Sequence, residues 1–120
     1  TSIKIIPSWE EAQNALKELE NNSNINDEKF FVRLSDILRL YIEKRFNLPA
    51  TEKTSEEFIQ QVRNNSVLSD EQKRALESFL STADMVKFAR MTTGQQQKQD
   101  CLSMAGSFVS ETIPQPVEAS

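Results

Sequence analysis

DEKFFVRLSDILRLYIEKRFNLP, residues 27–49, decides the fold. Phe30, Leu34, Ile37 and Tyr41 recur at helical spacing, and Phe31, Leu38, Ile42 and Phe46 widen that stripe. A face so broad predicts a central helix with several neighbours. Asp27 and Glu28 suit its positive end, Asn47 can close it in the left-handed conformation, and Pro49 forbids continuation.

The segments on either side read as helices that cover this face. Upstream, Ser8 predicts an N-cap and Glu11, three residues on, the other half of a capping box. Trp9, Ala12, Leu16 and Leu19 follow at helical spacing, and Asn21-Asn22-Ser23-Asn24 ends that element. Downstream, Thr54 with Glu57 opens a short helix through Phe58, Ile59 and Val62, broken by Asn64-Asn65-Ser66. Ser69 with Gln72 opens another, with Leu76, Phe79, Leu80, Ala83 and Val86 on its inner face and an end near Arg90. Thr93 is read as the cap of the last, whose apolar face holds Leu102, Ala105, Phe108 and Val109. The prediction is all-α, a compact bundle of about five helices. One domain covers residues 1–113, with a lead-in of 1–7 carrying Ile3, Ile5 and Ile6, and a loose tail at 114–120.

Composition narrows the chemistry. The 120 residues hold no His and one Cys, so most familiar metal sites and nucleophiles lack their parts. A net charge of −4 argues against general nucleic-acid binding, which is expected of basic domains. The lone Cys101 cannot form an intramolecular disulfide, and beside Leu102 and Ala105 it reads as a small core residue. No stretch approaches the roughly 20 apolar residues that span a bilayer. The chain therefore reads as a reduced, cytoplasmic-side domain, part of a longer protein.

Glu10-Glu11, Glu56-Glu57 and Asp70-Glu71 are the paired carboxylates, and each pair falls in the first turn of a predicted helix, where negative charge favours the dipole. Asp36, Glu77 and Asp84 lie on different helices without the spacing of a metal loop. No catalytic residue, metal ligand or cofactor is expected.

Two groups of charges remain. Arg33, Arg39, Lys44 and Arg45, interleaved with Tyr41 and Phe46, can form a positive patch for phosphate or an acidic partner. The preferred reading of these residues is a solvated face laced with Asp36 and Glu43. In ADMVKFAR, residues 83–90, Asp84, Lys87 and Arg90 set alternating charge among large apolar groups. Asp84 either makes a local ion pair or meets an arginine of the second helix, locking helix four onto helix two. Arg33, Arg39, Lys44, Arg45, Asp84, Lys87 and Arg90 together make the candidate interaction surface. An exposed apolar patch there would mark it as a docking face.

Residues 31–58 and 79–90 resemble the helical domain of a bacterial membrane-protein family, the BatD-type "oxygen tolerance" proteins and their smaller relatives, encoded beside MoxR AAA+ ATPases and von Willebrand A-domain proteins. The resemblance rests on LSDILRLYIEKRF (34–46), LPATEKTSEEF (48–58) and ADMVKFAR (83–90). Asn47 stands where glycine is commoner, a change that left-handed geometry tolerates. The family has no established catalytic residues. What the resemblance implies is a non-enzymatic interaction domain on the cytoplasmic face of the inner membrane, anchored through an upstream segment. The implied partners are the MoxR-type ATPase and A-domain proteins, in envelope stress, aerotolerance or complex assembly. From a different class, helix two's basic residues can instead bind nucleic acid or a phosphate ligand, with an affinity that falls steeply with salt.

Overall fold

Five helices account for the described chain: α1 (Ser8–Asn21), α2 (Asp27–Phe46), α3 (Ser55–Asn64), α4 (Asp70–Phe88) and α5 (Gln95–Thr112). The computed structural model describes residues 6–22, 24–89 and 92–114. The predicted Ile3 and Ile5 lead-in, Arg90 and the tail beyond residue 114 lie outside them. No strand occurs among the described residues, and the fold is an all-α bundle.

Packing follows the apolar stripes. α1, α2, α4 and α5 close into a ring, with α1 against α2 and α5, and α4 against α2 and α5. α3 lies outside that ring, against α4. α2 is buried over most of its circumference, with Phe31, Leu34, Leu38, Tyr41 and Ile42 almost wholly enclosed. Phe31 sits between Phe30, edge-on at 5.2 Å, and Phe79 of α4, stacked at 6.2 Å. The inner face read for α4, Leu76, Phe79, Leu80, Ala83 and Val86, is buried throughout.

Local signals set most boundaries. Thr54 and Ser69 form full capping boxes with Glu57 and Gln72. Asn26 caps α2 through its side chain, and Asn47 closes it at φ 56°, the left-handed conformation. Thr54→Ala is expected to lower stability by about 1 kcal/mol in urea unfolding, because the Glu57 amide at the α3 N-terminus loses its acceptor.

Two starts differ from the sequence reading. Ser8 lies inside α1 rather than capping it: Pro7 is the N-cap, its carbonyl accepts from the Glu11 amide, and Glu11 spends its carboxylate on Lys44 of α2 at 3.1 Å. Thr93 does not cap α5, since Gly94 occupies that position. The Thr93 amide donates to Asp27 instead, at 3.0 Å, and its hydroxyl reaches the same oxygen. Asp27 also pairs with Lys98, tying the start of α5 to the start of α2.

The Lys98 hydrogen bond, followed by the Thr93 amide, holds the Asp27 carboxyl below its ordinary range. A depressed native value contributes stability above the unfolded value near 4 and loses it as pH falls through the native one. Asp27→Asn is therefore expected to cost about 1 kcal/mol at neutral pH, and to flatten the acid limb of stability in urea titrations below about pH 4.

Candidate interaction surface

A helix turns about 100° per residue, so the cations of α2 cannot share a face. Arg33 and Lys44 fall about 20° apart, while Arg39 and Arg45 point about 120° to either side of Arg33. The structure separates them accordingly.

Arg39 is a correction to the surface reading, for it is buried. Its position four residues after Ser35 and three before Ile42, both enclosed, turns it inward. The guanidinium donates to the Ala50 carbonyl at 3.4 Å, to the Lys53 carbonyl and to Ser55 Oγ at 3.0 Å. It also lies 5.2 Å from the Phe58 ring centre. Ser55 passes the bond on, its hydroxyl donating to Asp84 Oδ1 at 3.0 Å. The link expected between Asp84 and an arginine of helix two thus runs through a serine, joining α2, the α2–α3 loop and α4. Burial pushes the Arg39 guanidinium below its ordinary value, and Asp84 and then Asp36 oppose that.

Glu43, one turn on, grips the other side of the same loop. Its Oε1 accepts from the Ala50 amide at 3.0 Å and the Thr51 amide at 3.3 Å, which pull the carboxyl below its ordinary value. Arg39 and Glu43 therefore do not pair with each other as a helical ion pair; both turn to the loop. Arg45 donates through Nε to the Thr112 carbonyl at 2.9 Å, satisfying an orphan acceptor at the end of α5. Tyr41 reaches the same helix end. Its hydroxyl donates to Thr112 Oγ1 at 2.6 Å, since the Thr112 hydroxyl is itself committed to the Phe108 carbonyl at 2.8 Å. Tyr41→Phe is expected to cost about 1 kcal/mol in thermal unfolding, as a buried acceptor loses its donor.

Lys44 pairs with Glu11, and Arg33 alone of the four is exposed without a hydrogen-bond or ion-pair partner among the described residues. The four do not form a patch.

The second group behaves differently. Asp84 and Lys87 are half-buried, Lys87 resting its ammonium 5.6 Å from the centre of the Phe88 ring. Arg90 lies outside the described residues. Between these charges the chain exposes large apolar groups: Phe88 is 80% exposed and Met85 49%. They border a groove of about 600 Å³ between α3 and α4, with Ile59, Gln60 and Ser81 among its walls. The sequence marks this segment by its charges among large apolar groups, and it is the outward position of Met85 and Phe88 that the structure adds. Their signal is angular, since both fall opposite the buried Leu76, Phe79, Ala83 and Val86.

No grouping of three or more carboxylates or thiols that can hold a metal occurs among the described residues. Cys101 sits half-buried at the margin of the core, and burial, then Asp100, pushes its thiol up, away from thiolate chemistry. No helix among the described residues is long and apolar enough to cross a membrane. Comparison with protein-family models, with curated proteins and with solved structures gave no match to this chain. Fold and surface together define a small all-α bundle in which Met85 and Phe88 stand side by side on the outward face of α4, while Val32 and Leu40 of α2 and Val67 are the other exposed large apolar groups after α1 among the described residues.

Proposed function

We propose that this domain is a non-enzymatic protein-interaction module whose docking face is the outward side of α4 and the groove it forms with α3. The observation that carries the reading is the joint exposure of Met85 and Phe88 beside that groove. Adjacent exposed apolar groups of this size are costly to leave in water and are a common mark of partner sites. The residues that resemble the BatD-type family divide along the same line. Arg39, Glu43, Ala50, Ser55, Phe58 and Asp84 are consumed in holding the α2–α3 loop, whereas the side chains of Lys87 and Phe88 lie against each other and make no hydrogen bond or ion pair among the described residues. On that resemblance the domain belongs to the cytoplasmic side of a membrane-anchored protein, and its partners are a MoxR-type AAA+ ATPase and von Willebrand A-domain proteins.

The phosphate or nucleic-acid reading has no supporting geometry, because three of its four cations are engaged within the fold. The test uses three baits against membranes in detergent and cytosol: wild type, Phe88→Asp, and Arg33→Glu with Lys44→Glu. Capture of an ATPase or A-domain protein by the first and third baits only is the expected result. Equal capture by Phe88→Asp, or capture of neither protein by any bait, overturns the proposal.

A further inference from the structure

The solvent side of α4 has an order of its own. Between residues 74 and 88 its exposed positions are Arg74, Ser78, Ser81, Met85 and Phe88. They follow one another by four, three, four and three residues, a mean of 3.5. That is the repeat of an outward helix face, and its C-terminal end carries the exposed apolar pair Met85 and Phe88. α4 thus carries two stripes, an inner one buried in the core and an outer one open to solvent.

We infer that the outer stripe pairs with the same stripe of a second copy of this chain, antiparallel, about a two-fold axis through Ser81. Reversed about that residue, the stripe complements itself. Phe88 meets Arg74 of the second copy, Met85 meets Ser78, and Ser81 meets Ser81. Each large side chain faces a smaller or flexible one, and the small residue at the axis lets the helices approach. Lys87 rests against the Phe88 ring, and its other face is available for the Arg74 guanidinium. α3 extends the complementarity. Its Arg63–Glu77 and Ser55–Asp84 contacts fix it antiparallel beside α4, so Glu56 and Arg63, seven residues apart, stand on opposite sides of Ser81. The same axis brings Glu56 of each copy to Arg63 of the other. Parallel pairing lacks this property, since it sets Arg74 against Arg74 and Phe88 against Phe88. An isologous contact of this kind is closed at two copies. So narrow a seam makes a small, transient interface.

This inference rests on the reading of the α4 face as an interaction surface and names a second copy as one of its occupants. Sedimentation velocity over a concentration series tests it. Wild type is expected to move from monomer towards dimer as concentration rises. Phe88→Lys, which sets a cation against Arg74, is expected to weaken dimerisation about tenfold or more. Adding Arg74→Glu to it is expected to recover most of the loss. Phe88 is so exposed that its replacement leaves the fold intact, which circular dichroism checks. In a Cys101→Ser background, Ser81→Cys is expected to cross-link two chains under mild oxidation, whereas Ser103→Cys on α5 is not. A wild type that stays monomeric throughout, a Phe88→Lys variant that self-associates as wild type does, or cross-linking equal at both cysteines overturns the inference. A monomeric wild type that still captures an ATPase or A-domain protein removes the two-fold pairing and leaves the proposed function standing.

Discussion

Arg39→Met is expected to lower stability by about 3 kcal/mol, a fall of about 12 °C in Tm for a chain of this length. The replacement fills much of the same space, so the loss reads the polar network rather than a cavity. The Lys53 carbonyl would lose its side-chain donor, the enclosed Ala50 carbonyl would keep only the Lys53 amide, and Ser55 and Asp84 would lose the cation that they face. Arg39→Lys is expected to recover only part, because one ammonium cannot reach the acceptors that a planar guanidinium spans. Urea unfolding at neutral pH gives the magnitude, and faster hydrogen exchange in residues 50–55 locates it. A loss below about 1 kcal/mol would mean that Glu43 and packing hold the loop without the Arg39 network.

That network shows why the sequence was readable in one respect and not in another. Capping boxes at Thr54 and Ser69 and the left-handed Asn47 involve residues at most three positions apart, so the sequence alone carries them. The starts of α1 and α5 were misplaced because distant groups compete for the same side chains. Glu11 answers to Lys44, thirty-three positions on, and Thr93 to Asp27, sixty-six positions back. Arg39 was read as a surface cation because charge ordinarily lies outside. Its inward direction was implicit in its spacing from Ser35 and Ile42, but its acceptors are backbone carbonyls, which every residue has and no residue type announces.

Phe88→Asp carries the second large effect, on binding rather than folding. Partner affinity is expected to fall about 30-fold or more in titration calorimetry or surface plasmon resonance, the range of an aromatic anchor at the centre of an interface. Stability in urea is expected to change by no more than about 0.5 kcal/mol, because the ring touches little of the fold. Arg33→Glu with Lys44→Glu should leave affinity nearly unchanged, since those residues flank the α1–α2 groove rather than α4.

On the proposed docking role, Arg39 and Phe88 divide two tasks: one ties α2 to the α2–α3 loop and α4 from within, the other faces outward with no task in the fold. The most direct test of that division is hydroxyl-radical footprinting of the domain, free and bound to the partner that wild type captures. The account predicts strong protection of Met85 and Phe88, with the outer edge of α2 from Arg33 to Lys44 unchanged. Protection along that edge, with Met85 and Phe88 as reactive as in the free domain, would contradict it.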